Sequence, residues 1–148
     1  TIAEVRTPSS INGLAIDSRG TIYLTQSSGS PAQAFTLTLD GTVTPVGSLA
    51  PYVSSGDCVV LKDDSLLMTA RGLAGGNDVL VYVDSRNAET RAIGTMGAST
   101  VYALSASFGF LFGLTNEGRV LLVNYETGAT TELFRQADIS FWGAANGD

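Results

Sequence analysis

Histidine is absent from this 148-residue chain, and cysteine, lysine and tryptophan each occur once. Without histidine, a serine or cysteine nucleophile lacks its usual base, and no Gly-x-Ser-x-Gly elbow is present. A single cysteine excludes an intrachain disulfide. Cys58 lies in the apolar run Cys58-Val59-Val60-Leu61, which predicts a small buried core residue. Lys62 is the only lysine and the seven arginines are scattered singly, so no basic stripe can neutralise phosphates. With a net charge of −6, nucleic acid and anionic membrane surfaces are poor partners. No apolar run approaches the roughly 18–20 residues of a membrane helix. An Asp-x-Asp-x-Asp-Gly loop is missing, so a dedicated calcium site has no sequence support and no cofactor is expected. The chain opens on Thr1 with no cationic-then-apolar leader, and reads as a mature product or an excised piece.

What remains is a packed globular composition, 44% hydrophobic and 15% charged. The acidic, almost lysine-free, Ser/Thr/Gly-rich chain fits a secreted or cell-surface bacterial protein. Its main feature is an echo with a period of about 45 residues. The echo begins at Ser9-Ser10-Ile11-Asn12-Gly13-Leu14, at Ser54-Ser55-Gly56-Asp57-Cys58-Val59 and at Ser99-Thr100-Val101-Tyr102-Ala103-Leu104. A fourth start follows at Ile139-Ser140-Phe141-Trp142-Gly143-Ala144. Such a period means one supersecondary unit that cannot bury its own apolar face and stacks on copies of itself.

Each copy reads as four short antiparallel strands joined by tight turns. In the third, Val101 to Ala106, Phe110 to Thr115, Arg119 to Asn124 and Ala129 to Phe134 alternate as strands. Gly or Asn stands at the corners, where positive φ is needed. The first copy gives Ile11 to Asp17, Thr21 to Thr25, Phe35 to Leu39 and Thr42 to Val46. The second gives Cys58 to Leu61, Ser65 to Thr69, Val79 to Val83 and Glu89 to Ile93. Second strands end alike in Leu24-Thr25, Met68-Thr69 and Leu114-Thr115, and two fourth strands end in Val46-Gly47 and Ile93-Gly94. Helical periodicity is missing, so the fold is all-β. One repeat domain spans 1–148: a partial strand at 1–7, units at 9–49, 54–96 and 99–135, and the start of another at 138–148. Only the link from second to third strand varies, with long loops at Gln26–Gln33 and Arg71–Asp78. Insertions confined to one loop type fall on one face, often the binding face.

Four-stranded meanders of this length are β-propeller blades. The phrases Leu14-Ala15-Ile16-Asp17-Ser18-Arg19-Gly20-Thr21-Ile22-Tyr23-Leu24-Thr25 and Val123-Asn124-Tyr125-Glu126-Thr127-Gly128-Ala129-Thr130 resemble blades of the NHL, SMP-30 and virginiamycin-B-lyase-like propeller group. Closed propellers use about 4–8 blades. Three blades with a broken one at each end (Thr1–Arg6 and Ile139–Ala145) imply an incomplete ring within one chain. The rest of a longer six- to eight-bladed chain or a separate partner chain is expected to complete it, and after these another copy of this chain.

The resemblance also implies that first strands line a central channel and that the residues before them lie at its mouth. That geometry marks Ser10, Asn12, Ser55, Asp57, Thr100, Tyr102 and Trp142 as ligand-binding candidates for a small polar or carbohydrate ligand. A competing reading has the Ser/Thr pairs satisfying backbone groups between blades, and Trp142 is expected to fill core more than to form a stacking platform. SMP-30-like lactonases hold a divalent metal with a Glu, Asn and Asp set. Here Asn12 and Asp57 match and the glutamate does not, and the virginiamycin-lyase histidine is missing. The expectation is therefore a non-enzymatic ligand- or protein-binding module without catalytic residues. The alternative is half of a propeller hydrolase or lactonase whose remaining groups come from another chain.

Overall fold

The computed structural model describes residues 6–145. Its twelve strands form three separate four-stranded antiparallel sheets, with no helix among the described residues. The first sheet (blade 1) runs β1 (Ile11–Ile16), β2 (Ile22–Gln26), β3 (Gln33–Leu37), β4 (Val43–Ser48). Blade 2 runs β5 (Ser54–Val60), β6 (Leu66–Ala70), β7 (Val79–Val83), β8 (Thr90–Thr95). Blade 3 runs β9 (Val101–Ser107), β10 (Phe110–Thr115), β11 (Arg119–Val123), β12 (Thr130–Arg135). Strands pair in chain order in each sheet, as meanders joined by tight turns must, and the sheets do not close into a ring. The all-β, repeated-blade expectation is met.

The innermost strands β1, β5 and β9 are side by side, so the blades fan out from one axis. Blade 2 is covered on both faces, and every residue of β5 and β6 is buried. Two apolar layers hold the stack. Between blades 1 and 2 lie Ala15, Tyr23, Leu49, Met68 and Val81, and Cys58 is buried in the same layer. Between blades 2 and 3 lie Val59, Leu67, Leu80, Met96, Leu111 and Leu121. Burial pushes the Cys58 thiol up, which agrees with its reading as core.

Register explains why the sequence echo is imperfect. Each first strand carries a bulge near its start, between Ile11 and Gly13, between Ser54 and Cys58, and opposite Leu114/Thr115. Blade 2 therefore pairs four residues earlier than Cys58, the strand start expected from the apolar run. The bulges also slide the third copy. Thr25 pairs Ala34 and Thr69 pairs Leu80, whereas Leu114, not Thr115, pairs Val120. The Leu-Thr endings thus mislead by one residue in blade 3. By the same slip Asp57 stands level with Gly13 and Ala103, while Asn12 and Tyr102 stand one position earlier.

Turn carboxylates tie the strand ends. Asp17 accepts from the Thr21 amide at 2.8 Å, the Arg19 amide at 3.0 Å and the Arg19 guanidinium at 2.9 Å. Burial raises its pKa, but these donors together outweigh that and hold it at about 2. The Arg86 guanidinium and amide hold half-buried Asp84 at about 2 as well. Stability from such lowered groups is complete above 3.8 and is lost as pH falls toward about 2. Asp17→Asn is expected to flatten the decline of the melting midpoint across that window, measured by thermal denaturation at stepped pH. A slope equal to that of wild type would remove Asp17 from this role.

At the C-terminal flank the structure differs from expectation. Thr1–Val5 lie outside the described residues, and Arg6 is in coil. Ile139–Ala145, expected to open a further blade, forms no strand. It makes single bonds, from the Phe141 amide to Thr115 O at 3.3 Å and from Ser105 Oγ to Ala145 O at 3.2 Å. A first strand gains its ladder from a second, and isolated bonds do not make one.

Candidate functional site

The three inner strands and the C-terminal segment enclose a groove of about 370 Å³. Asn12 and Leu14 of β1, Asp57 of β5, Leu104 of β9, and Gly143 and Ala144 line it. The long loops lie at the same end as the strand starts, since the Ser27 amide bonds to Ser10 O and the Arg71 amide to Val53 O. A second groove, of about 340 Å³, lies where those strands finish, with Asp17, Lys62 and Phe110 in its lining.

Asp57 is the carboxylate of the first groove, yet only 6% of the residue is exposed. Its Oδ1 accepts the Cys58 amide at 2.9 Å and its Oδ2 the Leu104 amide at 3.4 Å. The Leu14 and Ala144 amides also point at it. One side chain thus gathers backbone N–H groups from all three blades and from the C-terminal segment. Burial pushes its pKa up, and the four amides pull against that rise. Backbone at the axis, and not the groove lumen, claims most of this carboxylate's accepting capacity. Asp57, a ligand-binding candidate by sequence, thus also ties the blades together.

The serine and threonine candidates divide in the same way. Ser55 is buried, and its Oγ donates to Asp78 Oδ2 at 2.9 Å. That oxygen also accepts the Val101 amide at 2.8 Å, so Asp78 links blade 2 to blade 3. Burial raises the Asp78 pKa against the Val101 amide, the Ser55 hydroxyl and the charge of Arg71. Ser10 and Thr100 both have left-handed backbone, with φ of 65° and 55°. Ser10 O accepts from the Ser27 amide and hydroxyl, while the Thr100 hydroxyl bonds to Ser99 O and Asn116 Oδ1. Of these hydroxyls, that of Thr100 reaches backbone, whereas that of Ser55 is held by the Asp78 carboxylate. Asn12 is exposed at the groove and reaches Ser54 O only at 3.5 Å.

Tyr102 and Trp142 come together. Their ring centroids are 5.3 Å apart and their planes tilted by 31°. Trp142 is 73% exposed, so it is not the core filler expected of it. The small residues after it, Gly143 and Ala144, line the groove instead of packing the ring in. Sequence reasoning had not assigned the axial staple to Asp57, nor the blade link to Asp78. Both are acidic residues beside apolar runs in an acidic chain, and pattern alone cannot say that an amide from another blade will arrive.

No protein-family model matches this chain, and no curated protein matches it in sequence. Solved structures do match. A gluconolactonase, XC5397 from Xanthomonas campestris, superposes with a TM-score of 0.63 at 12% identity, over 97% of this chain and 53% of that one. A streptogramin B lyase superposes with a TM-score of 0.57 at 16% identity, over 90% of this chain and 44% of that one. The virginiamycin B lyase of Staphylococcus aureus gives 0.45 at 12% identity, over 88% and 57%. This chain is thus an all-β protein of propeller blades, similar in fold to the SMP-30/NHL-like group, as the blade phrases implied. It spans about half the length of the solved chains it matches.

Proposed function

We propose that the chain is a non-enzymatic ligand- or protein-binding module whose ring is completed by another copy or chain, and that its ligand is small and polar, of carbohydrate type. The observation that carries this is the pairing of half-buried Tyr102 with exposed Trp142, whose neighbour Gly143 lines a groove together with Asn12, Leu14, Asp57 and Leu104. Exposed aromatic faces beside polar groups suit a ligand with an apolar ring face and hydroxyl edges. Asp57 then shapes the groove, and Asn12, Tyr102 and Trp142 meet the ligand.

Trp142 is the only tryptophan, so its fluorescence reports directly on the site. Titration with a panel of mono- and oligosaccharides is expected to shift its emission saturably for at least one member. Tyr102→Ala should weaken that ligand at least about tenfold, the loss of one buried aromatic contact of about 1.5 kcal/mol, with the circular dichroism spectrum unchanged. An emission spectrum that stays constant across the panel at millimolar concentration would sink the carbohydrate reading.

The second reading is half of a propeller hydrolase or lactonase, supported by the fold shared with the gluconolactonase. Among the described residues no three His, Cys, Asp or Glu side chains cluster to hold a metal. Such an enzyme would therefore draw metal-holding groups from the rest of the ring. Metal analysis of the assembled protein separates the readings, since stoichiometric divalent metal favours the enzyme.

A further inference from the structure

The two joints inside the stack are built alike. Gly47 of β4 pairs Ala34, and Gly94 of β8 pairs Leu80, each beside a bulge. At each glycine the next blade's outer turn presses onto bare backbone. A Cβ at Gly47 would collide with Asn87 O, and one at Gly94 with Thr127 O. The two turns are themselves alike. Residues 84–89 close with an Asp84 N to Glu89 O bond, and 124–129 with an Asn124 N to Ala129 O bond. Each places a left-handed residue, Ala88 or Gly128, just after that carbonyl.

Neither end of the stack has this joint. In β12 the position of the two glycines, opposite Val120, belongs to Phe134. A six-residue turn seated there as in the inner joints would meet a phenyl ring. Blade 1 carries a different turn, 38–42, one residue shorter, closed by a Thr38 N to Thr42 O bond. At that turn Leu39 is 91% exposed, and Phe134 is 58% exposed. A larger residue at one end thus matches a shorter turn at the other, with the exposed Leu39 on it.

The inner strands tell the same story. Cys58 and Val60 of β5 pack against blade 1 and are 2% and 9% exposed. Their equivalents by register in β1, Leu14 and Ile16, are 53% and 57% exposed. At the other end Phe110 is 56% exposed. Exposed apolar faces of this kind mark interfaces.

We propose that blade 3 of one copy docks on blade 1 of a second copy, with Phe134 seated over Leu39 in the shortened turn 38–42. This rests on the reading that another chain completes the ring. It selects a second copy because only a blade with the shorter turn leaves room for Phe134, and blade 1 of this chain is such a blade. Two such joints close two three-bladed units into a six-bladed ring with twofold symmetry, within the usual blade range.

Light scattering of the purified chain is expected to give twice its 15.3 kDa mass. Phe134→Glu and Leu39→Lys alter exposed side chains, so both should keep the β-type circular dichroism spectrum and run as monomers. Mixed one to one, they should return to the double mass. The mixed pair keeps one native joint and sets Glu against Lys in the other. A wild-type monomer, a Leu39→Lys dimer, or a mixture that stays monomeric would each overturn the head-to-tail pairing. The ligand reading fails separately: a dimer whose Trp142 emission ignores every sugar keeps the pairing, and a monomer whose emission responds keeps the ligand site.

Discussion

Asp57→Ala should cost the folded chain about 2–4 kcal/mol at neutral pH, although it deletes only one side chain beside a solvent groove. The mutation leaves amides of Cys58, Leu104, Leu14 and Ala144 without their acceptor. A buried donor left unpaired costs about 1–3 kcal/mol, and water entering the groove can serve some of the four. Release of the C-terminal segment should follow, because Ala144 is one of the donors. Trp142, two residues earlier, would then part from Tyr102, and its emission would report the release.

Asp57→Asn keeps one accepting oxygen and should lose less. It also carries a pH signature. Burial raises the Asp57 pKa, so the proton-linked part of its contribution is full below the ordinary 3.8 and declines as pH climbs through the raised value, while the amide bonds persist at neutral pH. This slope runs opposite to that of Asp17. Chemical denaturation of wild type and Asp57→Asn from acid to neutral pH should show the decline in wild type only. Equal slopes would remove the buried titration of Asp57, and an alanine variant as stable as wild type would leave it without the stapling role.

Gly94→Val should be worse still, at about 3 kcal/mol or more. Overpacking usually costs about 1–3 kcal/mol because neighbouring side chains can shift. Here the obstacle is backbone, Thr127 O of the facing turn, and Gly128 packs against Gly94 from the same turn. Gly128 has a φ of 74°, so a side chain there would strain that turn as well. A domain of this size holds only about 5–15 kcal/mol in total. The variant is expected to melt far earlier and to lose the contact between blades 2 and 3 first. Gly143→Ala, where nothing lies within 4 Å of the added carbon, is the control and should be neutral. A Gly94→Val protein that melts with wild type would mean that the joint is looser than the close approach implies.

Much of the architecture was readable before any coordinates. The twelve strands of the three blades were expected and are present among the described residues, because a short strand between tight turns is a local matter of alternation and corner glycines. Val46-Gly47 and Ile93-Gly94 were visible as an echo too. Their reason was not, since the carbonyl that needs each glycine comes from the neighbouring blade, some 30–40 residues further on. The Leu114-Thr115 echo failed for a related cause: a bulge adds a residue without leaving a mark in composition. Of the marked residues, the structure brings Asn12 and Asp57 into one groove lining and stacks Trp142 on Tyr102. It gives the Ser55 hydroxyl to Asp78, the Thr100 hydroxyl to Ser99 O and Asn116, and the Ser10 carbonyl to Ser27.

By itself, then, the sequence determined the class of chemistry open to this chain and the unit from which it is built. The lack of histidine and of a basic stripe, and the 45-residue period with its turns, are all properties of residue type and spacing. Only the tertiary structure decided which carboxylate is a staple and which tryptophan face is free. It also decided that Phe134 stands where its two predecessors are glycine. Those outcomes depend on which backbone atoms arrive from another blade, and packing between sheets, unlike strand alternation, is not written in any one stretch of chain.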